Sequence, residues 1–599
     1  MNKFFETVLS VVLTAALSVT GCAAIVVASE KDYSSFSVSK TFGNDMVVQR
    51  NEQFRVWGTA DNSLNGEKVT LSFMGENATT TVENGEWTVT YPTTLEACNQ
   101  LGNDMTVNCG TKTVTFKDVL VGDVYMVVGQ SNVAYTFSEA VSNSPEGYPG
   151  KDIQPDASDI IRLNNNGLVY QNSYPTQGSG EECKDIVANG GWQRPSFENV
   201  KDFTALGYFF AKQILEKTDN TIPIGLIEIN GNGQNINTFI GNELAEELGI
   251  DEKDTDGIYK TNYNGTKMPS RFMYNHYMRP FRETAIAGMI WYQGESDFVP
   301  GSFETYNTRF KGLVEYMRNH SNVTNKEFPV FVVELPPMYN GTDHQFLPTS
   351  SIRSIMGLIP SQVSSCYIAA TSDLWKDKAY TNNLHPYCKY PISERLASLA
   401  QTVVYKQGNI KYSAAPVFSS YELSDDRKTV TVRFKYVGNG LETYADEAVK
   451  GFLVNAATKP TSVTIKGKDK IVITSNEVIT SVKYNAPNTM NVSHWYAATE
   501  NSYPENINVS NSSSLPMVSF MIEVTPEGSS SGVFYGNVND DSAVTTADAL
   551  LVLQNAVNVV DFTDEQEEAA DVNIDGNVNT LDALLVLQNA VGKIQLPVR

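Results

Sequence analysis

The chain has little positive charge, and this shortage excludes one broad class of function. It carries 44 lysines and arginines against 68 aspartates and glutamates, a formal net charge of -24 over 599 residues. Nucleic-acid binding depends on clustered basic side chains that neutralise phosphates. We therefore expect no nucleic-acid partner. An acidic surface also keeps a protein soluble, which is the simpler explanation of the charge.

Cysteine is also scarce, with six in the whole chain, and none has the close spacing of a zinc site. Two disulfides are one interpretation: Cys98–Cys109 would close a short loop, and Cys366–Cys388 would brace the segment around His385. Free buried cysteines are the alternative. Beyond Cys22 the count is odd, so at least one thiol stays unpaired.

Long hydrophobic runs are absent except at the N-terminus, where a lysine precedes an apolar stretch and then small residues. Residues 1–29 are predicted to be a secretory signal. The letters VTGC, which end at Cys22, resemble a bacterial lipoprotein box, so a lipid anchor at Cys22 is the alternative to ordinary secretion. No later run reaches the ~20 residues that cross a bilayer. We expect a secreted, extracellular protein with no membrane span.

The length exceeds what one core holds, and the pattern of apolar residues changes along the chain. Short alternating strands predict an all-β module at 30–118. Apolar strands then alternate with helical stretches over 119–406, the rhythm of a parallel sheet. A second β module is predicted at 410–525, a Gly/Ser-rich linker at 526–534 and a final unit at 535–599.

The final unit contains a repeat that predicts calcium binding. Two segments begin at Asn537 and Asp571, and each leads into the letters DALLVLQNAV. Oxygen-bearing side chains occupy positions 1, 3, 5, 9 and 12 of each loop, a spacing that surrounds Ca²⁺ with hard ligands. The first loop has fewer charges and Ser542 where the second has Gly576, which predicts a weaker site. The predicted ligands are Asn537, Asn539, Asp541, Thr545, Asp548, Asp571, Asn573, Asp575, Asn579 and Asp582.

This duplicated loop and helix resembles a type I dockerin over residues 535–594. The resemblance implies that calcium is structural and that the unit docks to a cohesin domain on a scaffold protein, as in a cellulosome. By the family pattern, partner choice is set at Thr546, Ala547, Thr580 and Leu581. Apolar helix faces would form the docking surface.

A serine in the middle of the chain has the setting of a nucleophile. Ser131 follows the apolar run 124–128 and the letters GQ, and it precedes a segment predicted to be helical. A strand-to-helix turn exposes a hydroxyl beside backbone N–H groups. A serine that only caps the helix is the alternative.

Other polar stretches follow apolar strands in the same way. Gln293 and Glu295 come directly after one strand, and glycine and amide residues around Gly233 follow another. Such residues lie where open α/β sheets bind ligands. His385 is one of five histidines, and among them only His385 is predicted to lie in a loop before a helix.

Five ordered motifs resemble the sialate O-acetylesterase family of SGNH hydrolases over about residues 36–525: MVVQRNEQFRVWGTA, VLVGDVYMVVGQSN, PIGLIEINGNG, IWYQGESD and LHPYCK. The resemblance implies a flavodoxin-like α/β/α sandwich flanked by all-β modules. It implies removal of acetyl groups from sugar esters, without a catalytic cofactor.

The resemblance also assigns roles. Ser131 would be the nucleophile and His385 the general base and later the acid. The oxyanion hole would combine the Ser131 N–H, a backbone N–H near Gly233 and the Gln293 side-chain amide.

The chain departs from the family at the acid that orients the histidine. The family has an aspartate two residues before the histidine, and this sequence has Asn383 there, beside Asn382. Glu295, Asp373 or a backbone carbonyl are the candidate substitutes. Asn232 and Val133 also replace a family glycine and methionine.

An esterase joined to a dockerin predicts action on acetylated plant cell-wall polysaccharide, such as acetyl xylan or a related hemicellulose. Three alternatives remain open. The chain could be a catalytically weak carbohydrate-binding component of a cellulosome, a sialate O-acetylesterase, or a glycosidase that uses Glu295 and Asp297.

Overall fold

The fold is described from a computed structural model with side chains. The described residues are 31–166, 181–186, 191–250, 271–297, 305–320, 326–335, 349–374, 385–386, 389–444, 447–455, 458–485, 507–525, 535–539, 544–557, 559–562, 564–573, 577–594 and 596. The predicted signal segment with Cys22 and the predicted linker lie outside these ranges. The same is true of Asn382, Asn383, Cys388, Asp541, Ser542, Asp575 and Gly576.

The N-terminal region is all-β, as its alternating pattern predicts. In β4, for example, every second side chain is buried and the others face outward. Two antiparallel sheets form, with strand orders β1-β3-β6 and β5-β4-β7-β8. The strands are β1 Ser37–Val38, β2 Val47–Gln49, β3 Arg55–Thr59, β4 Lys68–Phe73, β5 Glu76–Thr81, β6 Glu86–Thr90, β7 Met105–Cys109 and β8 Lys112–Phe116.

The middle region is an α/β unit built on one large sheet of order β11-β10-β12-β9-β13-β14-β15. The pairs are parallel except that β11 runs antiparallel to β10, and β2 pairs with the first residues of β9. Its elements are β9 Leu120–Gly129, α1 Ser131–Ala134, α2 Phe137–Asn143, β10 Ile161–Asn165, β11 Trp192–Gln193, α3 Phe197–Val200, α4 Ala205–Lys217, β12 Ile224–Asn230, α5 Asn242–Glu247, β13 Gly288–Tyr292, α6 Tyr306–His320, β14 Val330–Val333, α7 Thr349–Met356, α8 Ile359–Gln362, β15 Cys366–Ala369, α9 Tyr390–Val403 and α10 Ile410–Ser413.

Burial explains why the central strands read as continuous apolar runs. All ten residues of β9 are buried, as are all seven of β12 and all five of β13. Strands covered on both faces need apolar side chains on both. Helices α4 and α9 pack against each other on one side of the sheet. The carboxyl ends of β9, β12 and β13 therefore meet at one edge of a rigid platform.

The third region returns to antiparallel strands around its own apolar core. The sheets have orders β16-β17-β21-β20, β19-β22-β24 and β18-β23. The strands are β16 Val417–Leu423, β17 Thr429–Lys435, β18 Leu441–Thr443, β19 Phe452–Val454, β20 Ser462–Lys466, β21 Lys470–Thr474, β22 Ser481–Tyr484, β23 Val509–Asn511 and β24 Phe520–Glu523.

The C-terminal region is helical, with α11 Thr546–Ala556, α12 Asp564–Ala570 and α13 Thr580–Ala590. The two repeat helices α11 and α13 pack together around small residues, Ala549 and Val552 from one helix and Ala583 and Val586 from the other. Within the described ranges, no helix is both long enough and apolar enough to cross a bilayer.

Of the two interpretations of Cys98 and Cys109, the structure supports free cysteines and not a disulfide. Both thiols are free: Cys109 is buried in β7, and Cys98 pairs through its backbone with Val121. Cys183 and Cys366 are free as well, and Cys388 lies outside the described residues. The apolar surroundings of β7 and β15 accommodate Cys109 and Cys366 as small hydrophobic side chains.

Candidate functional site

Three neighbouring strands of the large sheet end in register. Asn230, the last residue of β12, lies opposite Gly129, the last residue of β9, and Tyr292, the last of β13, lies opposite the same glycine. The turns that follow carry Ser131, Gly233, Gln293 and Glu295. The structure therefore brings four predicted site residues to one sheet edge, where α/β folds place their ligands.

Gly129 permits the close approach of β9 and β13 at this edge. A Cβ there would lie 2.0 Å from the Tyr292 carbonyl oxygen and 2.7 Å from Val133. Only glycine avoids that clash. Directly beyond it, Ser131 is the first residue of the short helix α1 and is half-buried, whereas the three residues that follow it are buried.

The Ser131 turn is held by its neighbour Asn132, whose amide is fully buried. The Asn132 Nδ2 donates to Glu295 Oε1 at 2.5 Å, and its Oδ1 accepts from the Lys389 ammonium at 2.5 Å. Glu295 and Lys389 lie 163 and 257 positions after Asn132 in the sequence. One amide thus joins the turns after β9 and β13 to the start of α9.

Glu295 has an unusual charge state because it is buried. Burial raises the pKa of its carboxyl to about 7, although the Asn132 hydrogen bond and the Lys389 charge act in the opposite direction. Its Oε2 has no hydrogen-bond partner among the described residues. Glu295 therefore changes its charge close to neutral pH.

His385 lies on the same side of the fold. It is half-buried, and burial together with the Lys389 charge lowers the pKa of its imidazole to about 4. Lys389 in turn contacts Asn132, the residue after Ser131. The two predicted catalytic residues are thus linked through Lys389, and direct contact of hydroxyl and imidazole stays a prediction.

Gln293 has hydrogen bonds that favour a supporting role. It has no exposed surface, and its Nε2 donates to the Gln234 carbonyl at 3.0 Å and to Asp297 Oδ2 at 2.5 Å. Its Oε1 accepts from the Tyr306 hydroxyl at 3.0 Å. Both amide hydrogens are engaged, so in this geometry Gln293 fixes the loop and does not present a donor to an oxyanion.

The loop after β12 is shaped by Gly233 and by contact with Asp297. Gly233 has a φ of +70°, a conformation that favours glycine. The Ile236 N–H donates to Asp297 Oδ2 at 3.0 Å, which ties this loop to the loop after β13. An oxyanion donor near Gly233 stays a prediction.

Asp373 is engaged away from the histidine. Both of its carboxylate oxygens accept from Arg395 of α9, at 2.7 and 2.6 Å. The group that orients the imidazole, whether Glu295, Asp373 or a backbone carbonyl, stays a prediction.

Sequence reasoning gave no role to two buried charged residues at this site. Lys389 follows His385 by four positions, a basic residue directly before an apolar helix. Glu228 is a lone acidic residue inside the apolar strand β12, and burial raises its pKa to about 8. The single charge in an apolar run was the available signal for Glu228.

The first predicted calcium loop closes on its last predicted ligand. Asp548 is fully buried, and its Oδ1 accepts from the N–H groups of Val538 and Asn539, at 3.0 and 3.2 Å. Its Oδ2 accepts from the Thr545 N–H at 2.8 Å. The structure therefore brings positions 3, 9 and 12 together, with Asn537 buried at position 1.

The second loop repeats this geometry. Asp582 is fully buried, its Oδ1 accepts from the Val572 N–H at 3.1 Å, and its Oδ2 accepts from the Asn579 N–H at 3.0 Å. Asp571 and Asn573 are half-buried beside it. The chemistry of the donor set, oxygen only and closed by a carboxylate, fits calcium.

Comparison with known proteins gives two family matches. Residues 121–385 match the family model described as carbohydrate esterase, sialic acid-specific acetylesterase. Residues 535–589 match the type I dockerin domain. Both agree with the families that the motifs resemble.

Relatives and solved structures agree with these matches. Sialate O-acetylesterases of Pongo abelii and Homo sapiens are 24% and 23% identical over 322 and 321 residues, half of this chain and 57% of each relative. The chain thus spans little more than half the length of these relatives. A carbohydrate acetylesterase from Xanthomonas citri, 22% identical, superposes with a TM-score of 0.61 over 82% of this chain and all of its own. The predicted fold class is confirmed.

Proposed function

We propose that this chain is a secreted, dockerin-bearing carbohydrate O-acetylesterase, because residues 121–385 match the family model of sialic acid-specific acetylesterases and residues 535–589 match that of type I dockerins. The observation that supports it most is the shared register of Gly129, Asn230 and Tyr292, which gathers the Ser131 turn and its partners at one sheet edge.

The proposed reaction begins with attack of the Ser131 hydroxyl oxygen on the acetyl carbonyl carbon. His385 takes the hydroxyl proton as the new C–O bond forms. An imidazole with a pKa of about 4 is neutral above pH 5, so it is ready to accept that proton. Backbone N–H groups of Ser131 and of the loop at Gly233 would stabilise the oxyanion.

Collapse of the tetrahedral intermediate breaks the ester bond. The leaving sugar oxygen takes the proton from His385, and the acetyl group remains on Ser131. Water then attacks the acetyl-serine, with His385 again accepting a proton, and acetate leaves as the serine hydroxyl is restored. The chain's own residues thus complete the hydrolysis.

The C-terminal unit favours a cell-wall polysaccharide as substrate. Type I dockerins dock to cohesins, and both repeat helices expose large apolar side chains that suit such a surface: Leu550, Leu553, Val557, Leu581, Leu584, Leu587 and Val591. Calcium would be held by the two loops and would fix the helix ends. We propose acetylated xylan or a related hemicellulose as substrate, presented to the enzyme at a cellulosome.

The test is acetate release by the full chain from acetylated xylan, acetylated pectin and O-acetylated sialosides. We expect Ser131→Ala to lower the rate by about 10³-fold or more, because the nucleophile is lost. Ser138→Ala is the matched control, a half-buried serine in α2 only seven residues away, and it should keep the wild-type rate.

The substrate profile separates the alternatives. Release mainly from sialosides would replace the xylan assignment. Equal rates for Ser131→Ala and Ser138→Ala would reject Ser131 as nucleophile. A wild-type chain that binds the polysaccharides and releases no acetate from any of them would be a carbohydrate-binding component.

A further inference from the structure

Lys389 is a buried cation at the centre of the proposed site. It has no exposed surface, and its ammonium donates to Asn132 Oδ1 at 2.5 Å. The same ammonium lies 5.1 Å from the ring centre of Tyr135 and 5.2 Å from that of Tyr292. Two aromatic faces and one amide oxygen thus surround the charge, a favourable setting for a lysine.

The contacts of Lys389 continue through Asn132 to Glu295. Because Asn132 donates to Glu295 Oε1 at 2.5 Å, the three side chains form a hydrogen-bonded chain, which we call the Lys389–Asn132–Glu295 relay. The relay joins the Ser131 turn, the loop after β13 and the start of α9. His385 precedes Lys389 by four residues, so its segment is tied to the relay.

A buried ammonium has few acceptable positions. Removing it from water costs free energy unless polar and aromatic groups replace the lost hydration. Displacing the His385 segment would pull Lys389 away from Asn132 and both rings. The cost of that displacement holds the segment in place.

We propose that Lys389 is a positioning residue of the esterase site, which fixes the segment carrying His385 against the turn carrying Ser131 while its positive charge faces the imidazole. The role rests on the proposed function.

Charged groups around the relay determine the expected pH behaviour. Lys389 faces His385 on one side and Glu295, through Asn132, on the other; Asp297 acts on Glu295 from the same loop. Burial and the Lys389 charge both hold the His385 pKa at about 4. Removing that charge raises the pKa, so the neutral base is lost at a higher pH.

The first experiment measures the His385 pKa directly by NMR, in full-length chain labelled with ¹³C-histidine. The chain has five histidines, and His385→Gln identifies the resonance. Wild type should titrate well below 6.5, and Lys389→Met should titrate higher by about one pH unit. Lys389→Arg keeps the charge and should stay near wild type. Lys411→Met, which removes a more exposed lysine over a single tyrosine ring, is the matched control.

The second experiment is the pH profile of kcat and KM on an acetyl ester. Lys389→Met should lower kcat at pH 5 by about 10-fold or more while KM changes little, because the site is mispositioned rather than unable to bind. Its acidic limb should move to higher pH. Lys389→Arg should recover part of kcat and leave the limb in place.

Two results would overturn the proposal: a wild-type His385 that titrates near 6.5, or Lys389→Met and Lys389→Arg variants that share one pKa and one kcat. The wild-type titration decides even where Lys389→Met fails to fold. A wild type without esterase activity would reject the proposed function, and the NMR arm would still decide whether Lys389 acts on His385.

Discussion

At the scale of single residues, Glu295 shows how burial changes a side chain's chemistry. Its Oε1 accepts a hydrogen bond from the Asn132 amide, and its Oε2 is buried without a hydrogen-bond partner in the described part of the chain. Its pKa rises from 4.5 to about 7 because the charged form is poorly solvated. The ionised carboxylate therefore destabilises the fold at alkaline pH.

We predict that Glu295→Gln changes the pH dependence of stability. The folded protein binds a proton at Glu295 more tightly than the unfolded chain does, so wild-type stability falls as pH rises from about 4.5 through about 7. The full difference is at most about 3 kcal/mol. Glutamine removes this loss, and urea unfolding at pH 4.5 and 8 measures it.

The matched control for this measurement is Glu315→Gln on α6, whose side chain is 53% exposed. It should alter unfolding free energy by no more than about 0.5 kcal/mol at either pH. The same pH slope in wild type and Glu295→Gln would contradict the prediction.

The sequence predicted where these residues lie but not what they touch. Gln293 and Glu295 follow an apolar strand, which was enough to place them at the sheet edge. The partner of the Gln293 amide is a carbonyl 59 residues away, and that of Lys389 is an amide 257 residues away. Such contacts depend on loop geometry, which no local sequence pattern encodes. The sequence therefore could not show whether the Gln293 amide is available to an oxyanion.

At the scale of elements, the site depends on strands that end at the same level. Apolar runs in the sequence correctly predicted the strands β9, β12, β13, β14 and β15. The duplicated segment correctly predicted α11 and α13, because the same residues in the same order favour the same local structure. The sequence left disulfides and free cysteines both open, because cysteine spacing carries no information about which sheet each residue joins.

We predict that Gly129→Ala damages both stability and activity. The added methyl would meet the Tyr292 carbonyl at 2.0 Å, so β9 and β13 must separate at the site. Overpacking of this kind costs about 1–3 kcal/mol, and a displacement near 1 Å at Ser131 costs about 10²-fold in rate. Thermal unfolding and acetate release measure the two effects.

Gly191→Ala provides the comparison, since no heavy atom of the described residues lies within 4 Å of the added Cβ. It should leave the melting temperature and the rate near wild type. If both alanine variants behaved alike, the close approach of the strands would not matter to the site.

At the scale of the whole molecule, a buried carboxylate joins the α/β unit to the C-terminal β module. Glu334, directly after β14, has no exposed surface. Its Oε1 accepts from the backbone N–H and the hydroxyl of Ser519, at 3.1 and 2.9 Å, and its Oε2 accepts from the Thr371 N–H at 2.8 Å. Arg353, also buried, lies 3.3 Å from Oε1.

This junction changes how the predicted domains are understood. Composition divided the chain near residues 406–410, and that boundary stays a prediction. The Glu334 contacts cross it, because Ser519 lies 185 residues further along. The Glu334 contacts thus tie Ser519 of the β module to Thr371 of the α/β unit. A sequence pattern predicts the apolar core of each module but does not predict polar contacts between modules.

The last prediction is that Glu334→Gln destabilises the α/β unit and the β module together. The substitution leaves the buried Arg353 without its charge partner and points an amide at donors that need an acceptor, a loss of about 3–5 kcal/mol. Glu422 pairs with Arg433, and the Glu422 side chain is 67% exposed. Glu422→Gln breaks this exposed pair and should cost under about 1 kcal/mol. Calorimetry of the full chain should show a large fall in melting temperature for Glu334→Gln only, with acetate release reduced while the protein remains folded. Equal melting temperatures for the two variants would mean that the modules are stabilised separately, and the β module could then be removed without loss of the site.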